Sequence, residues 1–116
     1  SGSVSLLVNP NEQIFTGKMI SLAKIGPTSV RYKDIYDAYH LITNKLLDVG
    51  KVRLCFSLFL GSGHYSFHSI PEVYTIIDDI LSNPIFMEDA KKPKNDWVTV
   101  DYLTLKKVLL DYLWNL

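Results

Sequence analysis

Lys51-Val52-Arg53-Leu54-Cys55-Phe56-Ser57-Leu58-Phe59-Leu60, closed by Gly61-Ser62-Gly63, is the stretch on which the fold reading turns. It opens with an alternation, Lys51 and Arg53 against Val52 and Leu54, and then becomes almost wholly apolar. Alternation marks a strand with one wet face, and a continuous apolar run marks a strand covered on both. The segment therefore predicts a strand that starts at a rim and enters a core. Gly61-Ser62-Gly63 is short enough to turn a hairpin. His64–His68 supplies the return strand, with Tyr65 and Phe67 on one face and His64, Ser66 and His68 on the other.

Upstream, Ser5–Val8 is a short apolar segment stopped by Asn9-Pro10-Asn11. Ile14, Met19, Ile20, Leu22 and Ile25 then recur around Thr16-Gly17, which predicts one bent strand or two short ones over residues 13–25. Gly26-Pro27 reads as a turn. Thr28 or Ser29 caps a helix running to Val49, with Ile35, Tyr36, Tyr39, Ile42, Leu46 and Val49 on its apolar face, and Gly50 ends it.

Downstream, Ser69-Ile70-Pro71-Glu72 has the spacing of a capping box, in which a hydroxyl and a carboxylate three residues apart satisfy each other's orphan amides. Proline fits the first turn, where its missing N–H is not needed. A helix to about Leu81 follows, burying Val73, Ile76, Ile77 and Ile80, and Ser82-Asn83-Pro84 stops it. Residues 88–96 form a charged loop, Trp97–Val100 a short strand, and Thr99 or Asp101 caps a last helix with Leu105, Val108, Leu109, Tyr112, Leu113 and Leu116 as its stripe. The expected fold is one α+β domain over residues 4–116, a largely antiparallel sheet packed against helices in the order β-α-β-β-α-β-α. Ser1-Gly2-Ser3 reads as a cloning scar.

Composition narrows the function. A hydrophobic fraction of 47% over 116 residues supports one packed core and excludes disorder for most of the length. Twelve basic and twelve acidic residues cancel, whereas a dedicated nucleic-acid binder is clearly basic. The charges are uneven along the chain. Lys18, Lys24, Arg31, Lys33, Lys45, Lys51 and Arg53 outnumber the acids of the first half, while Glu72, Asp78, Asp79, Glu88 and Asp89 follow with no base between them. Such a dipole suits self-association or docking onto an anionic surface. The single cysteine, Cys55, has no disulfide partner in the chain and fits a reducing compartment. No apolar run reaches the length of a membrane span, and no leader is visible.

The search for chemistry returns little. His64 and His68 share a face of the expected strand but stand too far apart along it for one metal. Gly61-Ser62-Gly63 lacks the lysine and following helix of a phosphate loop and the Gly-x-Ser-x-Gly of a nucleophile elbow. Asp78-Asp79 and Glu88-Asp89 read as solvated acids. No catalytic residue, metal site or cofactor is implied. Tyr32, Tyr36 and Tyr39 form a stripe that reads as core or as a partner surface, joined by Trp114 near the chain end. Tyr65 and Phe67, close to Lys51 and Arg53, offer a stacking platform for RNA.

The segment from Lys18-Met19 through Arg31-Tyr32-Lys33-Asp34 to Phe59-Leu60-Gly61-Ser62 resembles the first part of the globular core of rhabdovirus matrix proteins. There a Lys-Met strand leads to a Tyr-x-Asp helix start and then to an apolar strand ending in Phe-Leu-Gly-Ser. The resemblance is confined to the first half, and no proline-rich budding motif accompanies it. It implies a non-enzymatic viral protein, in host cytoplasm or virion interior, that self-associates, condenses nucleocapsid and binds an anionic membrane. Lys18, Lys24, Arg31 and Lys33 would then meet phospholipid or nucleocapsid. The expectation is thus a structural or interaction domain whose partner is itself, another protein or an anionic surface. A ferredoxin-like nucleic-acid-binding domain is the alternative, and a small enzyme comes third.

Overall fold

A computed structural model describes residues 10–26, 32–92 and 100–116. Among them are six helices and no strand: α1 Pro10–Ile25, α2 Tyr32–Thr43, α3 Val49–Leu60, α4 Ile70–Ser82, α5 Pro84–Ala90 and α6 Tyr102–Trp114. The α+β expectation, with its antiparallel sheet, is overturned. Ser5–Val8, the Thr28 or Ser29 cap, and residues 97–99 of the expected last strand lie outside the described residues.

The stretch 51–60 is a helix whose buried residues share one face. Val52, Cys55, Phe56 and Leu60 are buried, which is the i, i+3, i+4, i+8 pattern of one helical face. The run is continuously apolar because Leu54 and Leu58, at 37% and 44% exposure, lie on the other face. A short apolar run cannot by itself separate a buried strand from a helix with apolar residues all round. The start is set by Asp48, whose carboxylate accepts from the Lys51 N–H at 3.0 Å, as an N-cap should. Gly61 ends it, donating its N–H to Ser57 O at 2.9 Å. No hairpin follows: residues 64–69 are irregular, Phe67 is buried, and Tyr65 stacks on it at 5.3 Å.

α1 replaces the bent strand expected over 13–25. Pro10 opens the helix instead of stopping a strand, as proline does in a first turn, and Gly26 closes it at φ 81°. α1 is the central helix, packed on α2, α3 and α4. Phe15, Met19, Ile20, Leu22 and Ala23 are buried on it together with two polar residues, Glu12 and Thr16. Those two break the apolar pattern that would have marked the helix.

The long helix expected to reach Val49 stops at Thr43. The Lys45 N–H donates to Ile42 O at 3.1 Å and the Leu46 N–H to Leu41 O at 3.0 Å, the paired bonds of a Schellman motif. Lys45 takes the left-handed position, φ 55°, that Gly50 was expected to fill, and Gly50 lies in the first turn of α3. Leu46 and Val49, placed on the buried face by periodicity, are therefore exposed.

The second half matches expectation more closely. Ser69 Oγ accepts from the Glu72 N–H at 3.3 Å, and Glu72 Oε2 accepts from the His68 N–H at 3.0 Å and the Ser69 hydroxyl at 2.8 Å. Asn83 ends α4, and its Oδ1 accepts from the Ile85 and Phe86 N–H groups to start α5. That helix takes residues 88–90 out of the expected charged loop. Asp101 caps α6 through the Thr104 N–H. The core centres on Phe15, Phe56, Phe86, Ile35, Ile77 and Leu109, each worth about 1.5–3 kcal/mol on burial. Tyr102 ties α6 to α4, its hydroxyl donating to Leu81 O at 2.8 Å.

Candidate functional site

An apolar groove of about 640 Å³ opens where three helix ends meet. α3 contributes Ser57 and Leu60, with Gly61 beyond its end; α4 contributes Ile70, Pro71 and Tyr74; the end of α6 contributes Leu113 and Trp114, with Leu116 beyond. His68 and Ser69 close one side. The volume falls within the range of ligand and peptide pockets. Local chemistry explains the placement. The Gly61 turn ends α3 at the groove, and a β-carbon at that position would sit 3.0 Å from Ser57 O. The Ser69 cap starts α4 there. Arg53 fixes the end of α6, its Nε donating to Leu116 O at 2.7 Å and its Nη2 to Asn115 O at 3.3 Å.

Trp114 dominates the rim. It is 71% exposed and rests on Tyr74 with ring centroids 5.2 Å apart. Among the described residues no Lys, Arg, Asp or Glu lines the groove. Its polar side chains are Ser57, His68, Ser69, Tyr74 and Trp114, and Ser69 is engaged with Glu72 on both sides of its hydroxyl. Hydrogen bonds from the Ser69 hydroxyl and the His68 N–H hold the Glu72 carboxyl below its usual range.

A second feature lies between α1, α3 and α6. Glu12 is 1% exposed and Thr16 fully buried. Glu12 Oε2 accepts from the Asp48 N–H at 3.0 Å, so α1 helps to cap α3. Glu12 Oε1, Thr16 Oγ1 and the Tyr112 hydroxyl have no hydrogen-bond partner. Burial pushes the neighbouring Cys55 thiol up, the Thr16 hydroxyl pulls it down and the Glu12 charge raises it. Thr16 is thus close to Cys55. Burial, with Glu12 and Asp48 nearby, pushes the Tyr112 phenol up to about 12 against the pull of Arg53. Sequence reading missed Glu12 and Thr16; the available signal was their i, i+4 spacing, continued by Met19, Ile20 and Ala23 along one helical face.

The residues singled out from sequence scatter. Tyr32 and Tyr36 are 8% and 3% exposed and belong to the core, Tyr32 against Phe86 at 4.9 Å. Tyr39 is half-buried against the same core. They do not adjoin Trp114 in the groove lining. Lys18 Nζ pairs with Asp34 at 2.8 Å and Asp37 at 3.4 Å, and Lys33 pairs with Asp37 at 2.9 Å. Lys24 is exposed, and Arg31 lies outside the described residues. Tyr65 and Phe67 form no stacking platform: Phe67 is buried, and Arg53 is engaged with the end of α6. Lys18-Met19 and Phe59-Leu60, strand residues in the matrix-protein comparison, stand on helices α1 and α3. Among the described residues no three of His, Cys, Asp and Glu converge for a metal, and no helix is long and apolar enough to cross a membrane. No protein-family model, curated protein or solved structure matches this chain.

Proposed function

We propose that the chain is a non-enzymatic helical interaction domain, and that its groove receives apolar side chains of a protein partner. One observation carries this reading: a tryptophan 71% exposed at the mouth of a recess that, among the described residues, no charged side chain lines. Tryptophan and tyrosine are enriched among residues that dominate binding energy, and such anchors sit beside pockets. An exposed apolar patch of this kind marks an interaction surface more often than an accident of folding. The basic residues support an anionic-surface role less well, because Lys18 and Lys33 are neutralised by Asp34 and Asp37.

The apolar dye anilinonaphthalene sulfonate tests the reading on dilute, folded protein. Its fluorescence is expected to rise on mixing and to quench Trp114 by energy transfer. Trp114→Ala and Ser57→Arg, both at exposed positions, are expected to abolish most of the rise. A dye signal equally strong in both variants would place the apolar surface elsewhere and sink the proposal.

A further inference from the structure

We infer that one internal water is bound between α1, α3 and α6, accepting a hydrogen bond from the Tyr112 hydroxyl and donating one to Glu12 Oε1. It is independent of the groove. Glu12 is a carboxylate only 1% exposed, and such a group leaves bulk water at low cost only when partners replace its hydration. Oε2 has a partner, the Asp48 N–H at 3.0 Å. Among the described residues Oε1 has none, and neither does the buried Tyr112 hydroxyl. Buried polar atoms without a protein partner are rare, and an ordered water commonly serves them.

The two atoms belong to one place. Phe15 meets the Tyr112 ring edge-on at 5.3 Å, and Phe15 and Glu12, three apart, share a face of α1. The Glu12 charge acts on the Tyr112 phenol and raises it, yet the two oxygens do not bond each other. Donor and acceptor chemistry selects water. The carboxylate oxygen only accepts and the phenol can donate, so water receives from one and gives to the other. A hard metal ion takes six or so oxygen ligands, whereas no three of His, Cys, Asp and Glu converge among the described residues. Thr16 Oγ1 stands a turn further along α1, beside the Cys55 thiol, and lies outside this bridge. A water-mediated bond is nearly as favourable as a direct one. The joint therefore fastens α6, which carries Trp114 two residues beyond Tyr112, to α1.

Oxygen-17 magnetic relaxation dispersion of the full chain tests the inference, because it counts waters held longer than the molecule takes to tumble. The unmodified protein should hold such a water, and Tyr112→Phe, which keeps the ring against Phe15, should lower the count by one. Far-ultraviolet circular dichroism confirms that the variant folds. By urea titration Tyr112→Phe should lose about 10-fold in its folding equilibrium constant, the effect of stranding a buried acceptor. The sign is decisive, since removing a hydroxyl that had no partner would stabilise the fold instead. No long-lived water in the unmodified protein refutes the inference, whatever the variant does. A count unchanged in Tyr112→Phe refutes it by placing the water elsewhere. A variant as stable as the parent, or more so, refutes it by showing that the hydroxyl was unpaired.

Discussion

Thr16→Val should stabilise this protein, although it removes a polar group. Thr16 is fully buried on α1, and its hydroxyl oxygen has no hydrogen-bond partner. A buried polar group left unsatisfied costs about 1–3 kcal/mol. Valine has nearly the same shape and nearly the same helix propensity, so packing and backbone terms cancel to first order. Against the gain stands the loss of the Thr16 hydroxyl's interaction with Cys55, which leaves a net gain of about 1 kcal/mol. At about 2.1 cal/mol/K per residue, 116 residues give an unfolding entropy near 0.24 kcal/mol/K, and the midpoint should rise by about 4 °C. Urea titration and thermal melting followed by circular dichroism measure it. Thr43→Val is the control: that hydroxyl donates to Tyr39 O on an exposed surface, and its loss should stay within about 0.5 kcal/mol. If Thr16→Val instead lowers stability by about 1 kcal/mol or more, the hydroxyl is satisfied in solution and the reasoning fails.

Lys45→Gly is expected to gain about 0.5–1 kcal/mol, because Lys45 holds φ 55° at the end of α2 and left-handed backbone penalises a β-carbon; unchanged or lower stability by urea titration would count against the Schellman assignment. Asp48→Ala should lose about 1 kcal/mol by removing the N-cap of α3, measured by the same titration, with a loss of helical signal confined to a small fraction. Burial raises the Tyr102 phenol above its usual value and pushes Tyr112 up to about 12. A raised folded-state pKa contributes stability that is complete below the unfolded value near 10 and is lost as pH climbs through the folded value. Alkaline titration followed by tyrosinate absorbance should therefore show Tyr102 and Tyr112 ionising only with cooperative unfolding; their ionisation in the folded protein would contradict the reasoning. Asp37 behaves oppositely. Burial pushes its carboxyl up, but hydrogen bonds from Lys33 and Lys18 outweigh this and hold it low, so stability present above the usual carboxylate value is lost as pH falls below it. Asp37→Asn should flatten the acid limb of the stability profile, by less than about 1 kcal/mol because the site is half open to water.

Local signals were legible wherever a side chain acts on its own backbone. The Ser69–Glu72 cap, the Asn83-Pro84 break and the Asp101 cap need only neighbours within one turn, so these helix ends read correctly, whereas the return strand expected at 64–68 and the loop expected at 88–90 do not. The groove was half legible: Trp114 stood out as a candidate, but nothing in its neighbourhood along the chain indicates that Leu60, Ile70 and Pro71 surround it. The tyrosine stripe was legible as core or as a partner surface, and the packing decides for core at Tyr32 and Tyr36, the Tyr36 hydroxyl donating to Ala90 O at 3.4 Å.

By itself the amino-acid sequence determined that the chain has enough apolar surface for one core, where several helices begin and end, and that no charge excess draws it to nucleic acid. Only the packed structure decided between strand and helix for residues 13–25 and 51–60, and which aromatics are buried. The apolar run of 51–60 could be buried in either conformation, and Thr16-Gly17 interrupts the apolar pattern of 13–25. What selects the helix is a set of contacts between residues far apart in sequence: Glu12 capping Asp48, Arg53 holding the end of α6, and Phe15 packed against Tyr112. Helices of this length gain most of their stability from such packing rather than from intrinsic preference, and a linear pattern does not record it.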